Sequence, residues 1–102
     1  MEPEVLEWIH QAEYDYEDAR YLFQGNRYLK VVFCCHLALE KGLKALYLHY
    51  THAQPPRTHS LDFLIHTIPG GIPDKFEDLM DILEDASVKV RYPPMLDTLL
   101  MI

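Results

Sequence analysis

The sequence has little of what marks several common protein classes. Cysteine occurs only as Cys34 and Cys35, and adjacent residues make a poor staple for a fold, so a reducing cytoplasm is the expected compartment. Basic residues are outnumbered, 9 against 16 acidic ones, for a formal charge of −7. That disfavours the non-specific coating of nucleic acid expected of a strongly basic chain. No apolar run approaches the roughly 18 residues of a membrane span, so no membrane role is expected. The first residues are acidic and lack a secretory apolar region. A Gly-x-Ser-x-Gly elbow is absent, and Gly70 and Gly71 lead into Ile72 and Pro73 rather than a phosphate loop. Six histidines are present without Cys-x-x-Cys or His-Glu-x-x-His spacing. No metal and no cofactor are therefore expected. No alternating strand pattern and no internal repeat appear.

What remains is helical periodicity in a chain of 102 residues, enough for one domain over residues 1–102. Residues 4–23 read as an amphipathic helix with Val5, Trp8, Ile9, Ala12, Tyr16, Ala19 and Phe23 in one stripe. Pro3 suits its start, and Gly25 and Asn26 its end. Residues 28–50 form a second helix, apolar most of the way round. Its main stripe is Tyr28, Val32, Cys35, Leu39, Leu43, Leu46 and Tyr50, beside a line of mostly small residues that includes Ala38 and Gly42. Charge keeps to one sector, with Glu40 and Lys44 spaced as an i,i+4 pair. After the Pro55–Pro56 loop, Thr58 or Ser60 caps a short helix carrying Leu61, Leu64, Ile65 and Ile68, which ends before Pro69. A further helix is expected over residues 74–86, followed by Pro93, Pro94 and an apolar tail. The fold class is all-α, a helical bundle with short connections.

Charge is distributed unevenly. Residues 1–24 and 62–102 are acidic, whereas residues 25–61 carry Arg27, Lys30, Lys41, Lys44 and Arg57 against Glu40 alone. An anionic partner would meet that middle stretch. Lys41, Lys44, Arg57 and His59 are candidate phosphate ligands, since Arg offers a planar fork and Lys a compact charge. The competing reading is a strip of lysines paired with acids of other helices. Cys34 and Cys35 read as packing residues, because apolar surroundings raise a thiol pKa.

Three stretches together resemble a known family. Glu40, Lys41, Gly42, Leu43, Lys44 and Ala45 are similar to the Glu-Lys-x-Leu-Lys-Ala signature of HEPN domains (higher eukaryotes and prokaryotes nucleotide-binding). Arg57, Thr58, His59, Ser60 and Leu61 resemble that family's loop ending in Thr-His-x-Leu. Arg91, Tyr92 and Pro93 resemble its Arg-Tyr-Pro element. The resemblance implies an up-and-down bundle of four to five helices, the last one short or truncated in this chain, that forms a homodimer and acts beside a small nucleotidyltransferase in a toxin–antitoxin-like system. It also implies nucleotide or RNA phosphate binding by Lys41, Lys44, Arg57, His59, Arg91 and Tyr92. The RNase members carry Arg, four to six residues, then His, and no arginine of this chain has a His at that distance. Three functions stay open from the sequence: a phosphate-binding module, a metal-independent RNase built on His59 with Arg57 or Arg91, and a non-catalytic protein-interaction scaffold.

Overall fold

The computed structural model describes residues 2–70, and within them every regular element is a helix: α1 (Pro3–Gln24), α2 (Tyr28–Thr51) and α3 (Leu61–Thr67). This agrees with the all-α expectation. The helix expected over residues 74–86 lies outside the described residues.

Proline opens α1, where its missing N–H would be unbonded in any case. The helix ends in a Schellman arrangement, with Arg27 N–H bonding to Leu22 O at 2.9 Å and Asn26 N–H to Phe23 O at 3.1 Å. Asn26, not Gly25, takes the left-handed conformation, at φ 60°. Asparagine tolerates that region because its short polar side chain bonds locally, and here it accepts from Tyr28 Oη at 2.7 Å. The tight turn folds α2 back along α1. His52 at the end of α2 meets Glu2 at 2.8 Å, and Gln54 donates to Glu4, which fixes the antiparallel pairing.

The buried face of α1 differs from the expected stripe. Val5, Asp15 and Ala19 are buried, while Tyr16 and Phe23 are exposed. The packed line runs Val5, Trp8, Ala12, Asp15, Ala19, Leu22, in alternating steps of three and four. A polar residue at one of these positions masked the register.

The buried face of α2 is turned from the expected main stripe and shares Leu43 with it. His36, Glu40, Leu43, Lys44, Ala45 and Leu48 are buried, whereas Tyr28, Leu46 and Tyr50 of the expected main stripe are exposed. Leu43 joins Leu61, Leu64, Ile65 and Ile68 in one apolar cluster, with Leu39 and Tyr47 against it. Ala45 and Leu48 meet Val5, Trp8 and Ile9 in another. Thus α2 is central, with α1 on one side and α3 on the other. Among the described residues nothing covers its remaining face around Gly42, where an added Cβ would touch nothing within 4 Å. None of the helices among the described residues is long and apolar enough to cross a membrane.

Candidate functional site

The site grows from the loop between α2 and α3. Prolines 55 and 56 fix the backbone, and Thr58 N–H closes onto Pro56 O at 3.0 Å, which puts Arg57 at the apex of a three-residue turn. Ser60 N–H then bonds to Thr58 Oγ1 at 3.1 Å, and Ser60 Oγ caps α3 by accepting from Phe63 N–H at 3.1 Å. His59 sits between these two bonds. Its peptide is held as well, because His36 Nε2 lies 2.8 Å from His59 O. A carbonyl only accepts, so His36 carries its proton on Nε2. Its other ring nitrogen is buried with no hydrogen-bond partner among the described residues.

His59 is tied to α2 a second time through its ring. Nδ1 is 2.9 Å from Glu40 Oε1, yet the side chain is 69% exposed against 4% for Glu40. A buried carboxylate therefore grips an exposed imidazole by one nitrogen and leaves Nε2 facing outward. Glu40 is itself compensated: Lys44 Nζ donates to Oε2 at 3.2 Å. The Lys44 ammonium also lies 5.6 Å from the centroid of the Trp8 ring, a favourable cation–π placement. His36 Nε2 comes within 3.8 Å of Glu40 Oε1. Three side chains, two from α2 and one from the loop, thus converge on a single carboxylate.

The candidate cations fare differently. Lys44 is buried in the pair with Glu40. Lys41 is part-buried and reaches α1, with Nζ 2.7 Å from Asp15 Oδ2. That oxygen makes no well-aligned hydrogen bond, so the contact is an ion pair approached off the hydrogen-bonding direction. Arg57 is exposed and has no ion-pair partner among the described residues. Arg91 and Tyr92 lie outside the described residues. Sequence reasoning missed Asp15 and His36. The three-and-four spacing of Asp15 with its apolar neighbours was the available signal for one, and i,i+4 spacing of His36 and Glu40 for the other.

A shallow open depression on α1, lined by His10, Glu13, Tyr14, Tyr16 and Glu17, shares no residue with this cluster. No group of histidine, cysteine and acidic side chains among the described residues is placed to hold a metal ion. Cys34 and Cys35 are free thiols. Burial pushes both upward from the usual thiol range, and the Asp18 and Asp15 carboxylates push Cys34 further. The thiolate is the reactive form, so both should alkylate more slowly in the native protein than in the urea-unfolded chain at pH 8. Timed iodoacetamide labelling with mass analysis checks this. The sign follows from linkage: the fold favours the protonated thiol below the raised values, and that contribution disappears as pH rises through them.

Together these features define an all-helical module that presents a histidine and an arginine on a rigid loop. The chain matches the HEPN domain over residues 5–98 and belongs to that family, a class of nucleotide-related or RNase-like modules in general terms. No curated protein and no solved structure gives a significant match.

Proposed function

We propose that this HEPN module binds a phosphate group, of a nucleotide or of RNA, at the Arg57–His59 loop. The observation that carries the reading is the division of charge there. Glu40 and Lys44 offset one another behind the loop, which leaves Arg57 and His59 as its outward-facing groups. Arg57 supplies the planar fork suited to phosphate oxygens, on a backbone already fixed by proline and turn hydrogen bonds. Little ordering entropy is then lost on binding. Lys44 braces Glu40 behind the loop, and Lys41 pairs with Asp15 of α1; the family motif adds Arg91 and Tyr92 to the proposed ligands, and both lie outside the described residues.

The reading extends to a homodimer acting in the cytoplasm beside a small nucleotidyltransferase, as a toxin–antitoxin-like pair. The face of α2 around Gly42, which no described residue covers, supports the dimer, and family membership is the support for the partner. An adjacent nucleotidyltransferase gene would decide the pairing.

The binding claim is tested by titrating a nucleoside monophosphate and a short RNA into wild type and Arg57→Ala. A charge-assisted contact is worth about 1.5–3 kcal/mol, so affinity should fall about tenfold or more. The melting temperature should not move, because Arg57 is exposed. Equal affinity for both proteins removes the reading.

A further inference from the structure

We infer that Glu40 is a positioning residue that fixes the tautomer of His59, so that the loop offers an outward hydrogen-bond acceptor beside Arg57 and selects a phosphate ester carrying a neighbouring hydroxyl. The inference rests on the phosphate-binding reading above and adds the chemical class of the ligand.

A carboxylate has no proton to give, so the 2.9 Å contact to Glu40 Oε1 requires His59 to hold its proton on Nδ1. Which imidazole nitrogen is protonated is set by the bond the other one makes. Here that bond is made by a group 4% exposed, while the rest of the ring stands in solvent. Three constraints keep the ring from turning over. Lys44 holds the other Glu40 oxygen, His36 holds the His59 carbonyl, and the Ser60 cap begins α3 one residue later. In its neutral form the ring then shows a bare lone pair on Nε2. A lone pair repels a phosphate oxygen and attracts a hydroxyl donor. With Arg57 two residues away to take the phosphate, the matching ligand has a hydroxyl on the atom next to the phosphorylated one. A ribonucleoside 3′-monophosphate has that arrangement, and its 2′-deoxy counterpart and inorganic phosphate do not.

The experiment has two arms on the full chain. The first records long-range ¹H–¹⁵N correlations of the His59 ring at a pH where it is neutral. Wild type should show a protonated-type Nδ1 and an unprotonated-type Nε2. In the double variant Glu40→Leu/Lys44→Met, which removes both charges together, the two nitrogens should shift toward the Nε2–H form that free imidazole side chains favour. A wild-type ring already in the Nε2–H form overturns the positioning role, and that measurement needs no variant to fold. An unchanged tautomer in a folded double variant overturns it as well. The second arm titrates a ribonucleoside 3′-monophosphate, its 2′-deoxy counterpart and inorganic phosphate into wild type. A several-fold preference for the ribonucleotide that is lost in the double variant supports the ligand class. Equal affinities overturn it while leaving phosphate binding intact. No binding of any of the three, with the Nδ1–H tautomer present, counts against the phosphate site and not against the role of Glu40.

Discussion

Glu40→Leu alone should destabilise the protein by about 3–5 kcal/mol, because it strands the Lys44 ammonium in the interior. Lys44 is 7% exposed and its Nζ has Glu40 Oε2 at 3.2 Å. Among the described residues the Trp8 ring is the remaining favourable contact on that ammonium, and a desolvated cation–π contact contributes about 2 kcal/mol. Loss of the His59 contact adds little, since an exposed imidazole exchanges the carboxylate for water.

The double variant Glu40→Leu/Lys44→Met should recover most of that loss. Replacing a buried ion pair by apolar side chains of similar size is commonly neutral or stabilising by about 1–4 kcal/mol, because no charge is left to desolvate. Urea denaturation of the two single variants, the double and wild type closes the cycle. The single variants should lower the midpoint with little change in slope, and the double should return toward wild type. A loss below about 1 kcal/mol for Glu40→Leu would equate the pair with a surface bridge and remove the account of a buried, compensated carboxylate. A double variant as stable as wild type would assign the pair to positioning His59 and not to stability.

Helix boundaries were legible in the sequence because they depend on local chemistry. Pro3, the Gly25–Asn26 pair and Ser60 each act on the backbone within a few residues, and the observed ends of α1 and α2 fall within a residue of the expected ones. The short third helix, its Ser60 cap and its buried face of Leu61, Leu64, Ile65 and Ile68 were readable for the same reason. The facing of α2 was not. A helix apolar most of the way round has no single stripe to read, and the tertiary partners choose the buried side. Polar residues are placed on the solvent side by default, which hid the burial of Asp15, His36, Glu40 and Lys44. The family motif marked Glu40, Lys44 and His59 as belonging together. Their convergence on one carboxylate needed the long-range return of the loop, over nineteen positions from Glu40 to His59, which no local spacing encodes.

Leu64→Ala should cost about 2–5 kcal/mol, the range for removing a fully buried leucine side chain and leaving a cavity. Leu64 is 0% exposed, as is Leu61, and both lie in the cluster that fastens α3 to Leu43 of α2. A helix of seven residues is far too short to persist alone in water, so this cluster is what keeps α3 in place. The effect should reach the candidate site. Ser60 caps α3 and His59 precedes it, so loosening the helix relaxes the segment whose carbonyl His36 holds and whose ring Glu40 holds. Amide exchange should therefore speed up across residues 60–68 more than in the α1–α2 hairpin, which is packed by a separate apolar cluster. Phe63→Ala is the control on the same helix: its side chain is half exposed, and the loss there should stay well under that of Leu64→Ala. Equal losses for the two, or uniform acceleration of exchange over both helices of the hairpin, would mean that α3 is held by something other than this cluster. The site depends on that anchoring, because His36 and Glu40 of α2 hold His59 itself while the leucines of α3 hold the segment that follows it.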